Sequence, residues 1–147
     1  MPFRFTLAPL LRLRQSIERQ RALQLQEANL QGSRAQETLA QLERFLSDSS
    51  QSESAGLTVG CTAAELQFAS VIRENLHHFR QELQSDICKL ELLRQQAASA
   101  YHRAYREREV IETLRARQRH DYHQEQLRRQ QQELDATYLL QRWHRRN

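Results

Sequence analysis

His120 and His123 stand one helical turn apart, a spacing that could chelate a divalent metal. No third ligand accompanies them, and Asp121 and Tyr122 fall on other faces. The pair therefore reads as part of a solvated polar face. His77 and His78 are adjacent and point apart. Cys61 and Cys88 are too far apart in sequence for a CxxC-type zinc or redox motif. Cys88, beside Ile87, reads as a small hydrophobe near an apolar seam. Gly32, Gly56 and Gly60 are too scattered for a phosphate-binding loop. With no nucleophile–base arrangement, metal set or cofactor motif, the residues point away from an enzyme, and no cofactor is expected.

The elements that carry these residues are helices. After Pro9, 138 consecutive residues contain no proline. Ala, Glu, Lys, Leu and Arg make up 73 of the 147 residues, the composition of long helices or coiled coil. Val, Ile and Thr together number only 13, too few to build a sheet. Leu, Ile, Val and Phe number 34, enough for a narrow seam rather than a wide core.

Thr6 is placed to cap a first helix, with Pro9 tolerated in its opening turn. Apolar positions run Leu10, Leu13, Ile17 and, after a polar stretch that reads as a stutter, Leu25, Ala28, Gly32, Ala35, Leu39, Leu42, Leu46. The second set is spaced 3-4-3-4-3-4, a heptad seam. The Ser-rich stretch after Ser47, followed by Gly56 and Gly60, reads as the one interior loop. Thr62-Ala-Ala-Glu65 is a capping box, with Cys61 and Leu66 at the staple positions. The second seam includes Leu66, Ala69, Ile72, Leu76, Phe79, Leu83, Ile87, Leu90, Leu93, Ala97, Ala100, Ala104, Ile111 and Leu114.

The expected fold is all-α: a single domain over 1–147, a two-helix antiparallel coiled coil with unequal arms, the C-terminal helix being longer. The helices are expected at about 6–47 and 62–143, with a loop at about 48–61. The arms would measure roughly 60 and 120 Å at 1.5 Å per residue. Folding about that loop would place opposite one another positions summing to roughly 109, the default for an antiparallel helical hairpin. Leu39 would then lie near Ser70, Leu25 near Gln84 and Leu10 near Ser99, and α-helix beyond Ala104 would lack an intrachain partner. From Gln118 to Glu133 the only aliphatic or aromatic residues are Tyr122 and Leu127. The alternation of Glu and Arg from Arg103 to Arg119 reads as solvated i,i+4 pairing.

Net charge is +4 and is unevenly spread. Arg4, Arg12, Arg14, Arg19 and Arg21 crowd the N-terminal segment, and Arg142, Arg145 and Arg146 the C-terminal one. The basic ends could meet an acidic protein, anionic lipid or nucleic acid. Nucleic acid fits poorly, because acids interleave with the arginines and few aromatics accompany them. No stretch approaches the length of a membrane-spanning helix. Two cysteines with no partner in view fit a reducing cytoplasm. Phe68, Ile72, Leu76 and Phe79, just after the loop, form a bulky stripe. It is either core or, in so thin a structure, a partly exposed anchor for a partner.

The opening Phe3-Arg-Phe-Thr-Leu-Ala-Pro-Leu-Leu-Arg-Leu-Arg14 resembles the start of the flagellar export protein FliJ family. Arg106-Glu-Arg-Glu109, Tyr122, Glu125, Arg128 and the run Gln131 to Asp135 are similar to the family's C-terminal pattern. Ala136 stands where the family usually has an acidic residue. The resemblance covers nearly the whole chain. It implies a cytoplasmic, non-enzymatic component of the flagellar type III export apparatus, needed for flagellum assembly and motility and associated with the membrane only indirectly. It further implies a stalk resembling the central shaft of rotary ATPases. The implied partners are the export ATPase hexamer, the cytoplasmic domain of the export gate, and export chaperones. On that reading Arg12, Arg14, Arg142 and Arg145 would meet the ATPase ring, and Phe68, Ile72 and Phe79 the gate. A generic coiled-coil scaffold or chaperone, or the equivalent stalk of a virulence secretion system, is the alternative.

Overall fold

A computed structural model describes residues 3–145, apart from the side chains of Leu57 and Thr58. Arg146, one of the basic C-terminal residues, lies outside the described residues. Among those described there are two helices and no strand: α1, Ala8–Val59, and α2, Ala63–His144. The two helices pack against each other.

The helix ends follow from local chemistry. Helix α1 opens just after Thr6 rather than at it. The Leu7 carbonyl accepts the first helical bond, from the Leu11 N–H at 2.9 Å, and Thr6 lies in a turn closed by the Ala8 N–H and the Phe5 carbonyl. Pro9 sits in the first turn, where its missing donor leaves no helical bond unmade. Helix α2 starts on the capping box. The Thr62 N–H donates to Glu65 Oε2 at 2.9 Å, and the Glu65 N–H donates to Thr62 Oγ1 at 3.3 Å. The staple positions add little, since Cys61 is exposed and Leu66 is 42% exposed.

The expected loop over 48–61 is a correction. Helix α1 runs through the serines to Val59, and only residues 60–62 connect it to α2. Ser49, Ser50 and Ser54 donate their hydroxyls to the carbonyls of Leu46, Ser47 and Gln51, so the side chains that usually break a helix are satisfied inside it. The stop falls at Gly60, whose φ of 96° needs a residue without Cβ. Its N–H donates to the Gly56 carbonyl at 3.1 Å, the single 5→1 bond of an αL cap.

The chain divides into two compact units, residues 20–102 and residues 1–19 with 103–147. In the first, Glu53 pairs with Arg73, and Glu43 with Arg80 at 3.2 Å, so the two helical segments run antiparallel. In the second, Arg14 pairs with Glu107, Glu18 with Arg108, and Phe3 stacks obliquely on Tyr122 at 5.7 Å. Partner numbers add to between 121 and 126 in these pairs, not to 109. The shorter connection moves every facing residue by more than three turns. Leu39 therefore faces the level of Gln84, not Ser70, and Leu25 that of Ala98, not Gln84. Helix α2 keeps a partner well past Ala104, as far as Tyr122.

On α1 the less exposed positions Leu25, Ala28, Gly32, Ala35, Leu39, Leu42 and Leu46 are the expected seam, and Ser49, Glu53 and Gly56 extend it. Nearer the N-terminus the seam differs. Leu11 is buried at 3% exposure, whereas Leu10 and Leu13 are exposed, and partly covered Glu18 and Ala22 bridge the stretch that read as a stutter. On α2 the less exposed positions of the first unit include Ala69, Arg73, Leu76, Arg80, Leu83, Ile87, Leu90, Arg94, Ala97 and Tyr101. In the second unit they include Ala104, Arg108 and Ile111. Arg73, Arg80 and Arg94 stand where Ile72, Phe79 and Leu93 were expected, and those three apolar residues are exposed. Cys88 is exposed as well, outside the seam. Only Leu11, Leu42 and Ala104 are buried among the described residues, so the apolar core is thin and partly exposed ion pairs flank it.

Candidate functional site

In the unit of residues 20–102, inward-facing arginines leave the apolar stripe outside. Each arginine is bound by an acid within reach: Arg73 by Glu53, Arg80 by Glu43, and Arg94 by Glu91 through a forked pair at 2.8 and 2.5 Å. The Arg94 fork holds the Glu91 carboxyl below its ordinary range and raises the guanidinium in turn. With the seam filled this way, Phe68, Val71, Ile72 and Phe79 remain solvent-facing, Phe68 at 69% exposure. The structure thus places Phe68, Ile72 and Phe79 together on one flank of α2, available to a partner.

In the unit of residues 1–19 and 103–147, the four candidate arginines separate. Arg12 is exposed, whereas Arg14 is engaged by Glu107. Arg142 and Arg145 are exposed near the end of α2. The facing register puts Arg12 level with Glu112, roughly 45 Å along the helix from Arg142 at 1.5 Å per residue. A single compact basic site is therefore not formed; the basic residues are strung along the unit. Sequence reasoning missed the sharpest cluster here. Arg108 lies 2.5 Å from Glu18, pairs with Glu112 one turn along, and stacks over the Tyr105 ring at 5.0 Å. Burial would lower the Arg108 pKa, but Glu18 and Glu112 outweigh it and raise it. The available signal was the seven-residue recurrence of Arg73, Arg80, Arg94 and Arg108, with 87 and 101 between.

His120 and His123 are exposed, and among the described residues no three His, Cys, Asp or Glu side chains gather as a metal site would require. Cys61 and Cys88 are free thiols. No described helix is long and apolar enough to cross a membrane.

The chain, a pair of arginine-laced helices with exposed basic and apolar residues, matches a family model described as flagellar FliJ protein over residues 3–147. The chain belongs to the FliJ family. Membership gives this FliJ chain a role associated with flagellar protein export, in a family of non-enzymatic components. No curated protein and no solved structure matches it.

Proposed function

We propose that this chain is a stalk-like coupling protein of the flagellar type III export apparatus, a coiled coil standing between the export ATPase ring and the membrane export gate and escorting export chaperones. The observation that carries the reading is the family match across residues 3–147. The distribution of charge supports it. Residues 1–19 and 103–147 contain 15 basic and 8 acidic side chains, whereas residues 20–102 contain 7 basic and 10 acidic. One unit is thus suited to an acidic partner surface and the other to a different one.

The ATPase ring meets the basic unit through Arg12, Arg142 and Arg145, with Arg14 contributing less because Glu107 already holds it. The gate's cytoplasmic domain meets Phe68, Ile72 and Phe79, large exposed anchors of the kind that dominate interface energetics. The chain works in the cytoplasm at the inner face of the cell membrane, held there by its partners. The coupling is mechanical: an asymmetric rod in a symmetric ring shifts subunit populations only through contacts that differ between their states.

The test is stimulation of the export ATPase by purified chain. Arg12→Glu with Arg142→Glu and Arg145→Glu reduces stimulation, and unchanged stimulation rejects the ring assignment. Arg14→Glu is a poorer probe, because it also destroys the Glu107 pair. Capture of the gate's cytoplasmic domain falls for Phe68→Ala with Phe79→Ala; undiminished capture sinks the gate assignment.

A further inference from the structure

Near the connection between the helices, in the unit of residues 20–102, one flank is both apolar and acidic. Phe68, Ile72, Phe79 and Glu82 each immediately precede an inward position of α2, at 69, 73, 80 and 83, so they share one side of that helix. Phe45 and Asp48 of α1 likewise precede inward positions 46 and 49. In an antiparallel pair these equivalent positions fall on the same side, and the Glu43–Arg80 register puts Phe45 level with Phe79. Phe45 is 57% exposed. Asp48 and Glu82 take part in none of the ion pairs of the described residues. Residues 43–91 as a whole hold eight acidic and four basic side chains, and Arg73 and Arg80 face inward onto Glu53 and Glu43.

The other unit ends in a surface of opposite character. Every described residue from 127 to 145 is exposed. Leu134, Tyr138, Leu139, Leu140 and Trp143 are each more than 60% exposed. Around them lie Arg128, Arg129, Arg142 and Arg145 against two acids, Glu133 and Asp135. Of these arginines only Arg129 forms an ion pair among the described residues, with Glu125 at 3.1 Å. This is a basic segment with aliphatic and indole side chains, the complement of an acidic aromatic flank.

We propose that the C-terminal segment of α2 in one copy docks on the Phe45–Phe79 flank of a second copy. Trp143 and its neighbouring leucines cover the exposed phenylalanines, removing apolar surface from water on both sides. Arg142 and Arg145 meet Asp48 and Glu82, which form no ion pair among the described residues. Like-with-like pairing is disfavoured, since two acidic flanks or two basic segments would repel. Because both surfaces are those offered to other proteins, self-association competes with their engagement and keeps apolar surface covered in the free chain.

Sedimentation velocity of the full chain tests this. The wild-type chain associates with rising concentration at low ionic strength and reverts to monomer in about 0.5 M salt, where exposed charges are screened within a few ångströms. A flank variant, Asp48→Arg with Glu82→Arg and Phe79→Ala, is monomeric, as is a tail variant, Arg142→Glu with Arg145→Glu and Trp143→Ala. Each weakens association about tenfold or more, equivalent to 1.4 kcal/mol. Mixing the two variants restores a 1:1 complex, because each carries the surface that the other lacks. A wild-type chain that is monomeric at every concentration overturns the proposal. So does a flank variant or a tail variant that self-associates as tightly as the wild type, or a mixture that stays monomeric. All substituted side chains are exposed, so helicity by circular dichroism stays at the wild-type level, and the salt series on the wild type needs no variant.

Discussion

Arg108 of α2 places its Nε 2.5 Å from Glu18 Oε2 of α1, with both side chains less than one-fifth exposed. It occupies a position that a purely apolar seam would give to leucine. The guanidinium also reaches Glu112, so one arginine ties two turns of its own helix to the opposite one. Glu18→Gln lowers the melting temperature by a few degrees, more than substitution of the exposed Glu125 of the Arg129 pair does. The charge-reversed double variant, Glu18→Arg with Arg108→Glu, recovers part of the loss. Thermal denaturation followed by circular dichroism checks both.

Leu11 and Leu13 separate two registers of the N-terminal seam. Leu11 is 3% exposed and Leu13 is 55% exposed. Leu11→Ala costs about 2–3 kcal/mol, the lower part of the range for buried leucine in a thin core. Leu13→Ala costs less than about 0.5 kcal/mol, as surface substitutions do. Urea titration of the two variants decides it, and equal costs would contradict the observed facing.

Gly60 has a φ of 96°, and a Cβ added there would meet nothing within 4 Å. Space is therefore not the constraint; backbone conformation is. Gly60→Ala destabilises by about 1 kcal/mol through the left-handed backbone alone. Gly56→Ala, on ordinary helical backbone, is neutral or stabilising by a few tenths of a kcal/mol. Denaturant midpoints of the two variants should move in opposite directions or differ by that margin.

The capping box predicts a pH dependence. Bonding first to the Thr62 N–H and then to its hydroxyl holds the Glu65 carboxyl below its ordinary value, and Arg94 does the same for Glu91. A carboxyl depressed in the folded state adds stability above its unfolded pKa, about 4.3 for Glu. That contribution is lost as pH falls through the lower folded value. Melting temperature therefore declines below about pH 4, and Glu65→Gln flattens part of the decline. Thr62→Ala lowers stability by about 1 kcal/mol at neutral pH, the usual cost of a lost N-cap.

The parts of the fold readable in the sequence are those where one local rule acts alone. The Leu25 to Leu46 seam follows from period, and Thr62 with Glu65 from hydrogen-bond reciprocity. The Ser-rich stretch misled because serine propensity is a weak prior, and Ser49, Ser50 and Ser54 satisfy their hydroxyls on carbonyls inside the helix. That single boundary then displaced every facing pair. Ile72 and Phe79 attracted the seam because hydrophobicity outranks arginine in any pattern search. Here Arg73 and Arg80 take the less exposed positions and their heads find acids on the opposite helix, while the aromatics stay outside. The candidate contact residues could be chosen from residue type, but their surroundings could not: Arg14 is held by Glu107, whereas Arg142 is exposed.

The connection between α1 and α2 is only residues 60–62, at most about 10 Å of extended chain. Such a link has no slack. A pull along α1 in this unit cannot be absorbed by an unravelling loop; it loads α2 at once, as shear across the Glu53–Arg73 pair and then the Glu43–Arg80 pair. Both pairs are partly exposed, so their attraction fades smoothly with separation rather than breaking at a threshold. What keeps the tip in register is therefore the shortness of the connection more than the strength of the pairs beside it.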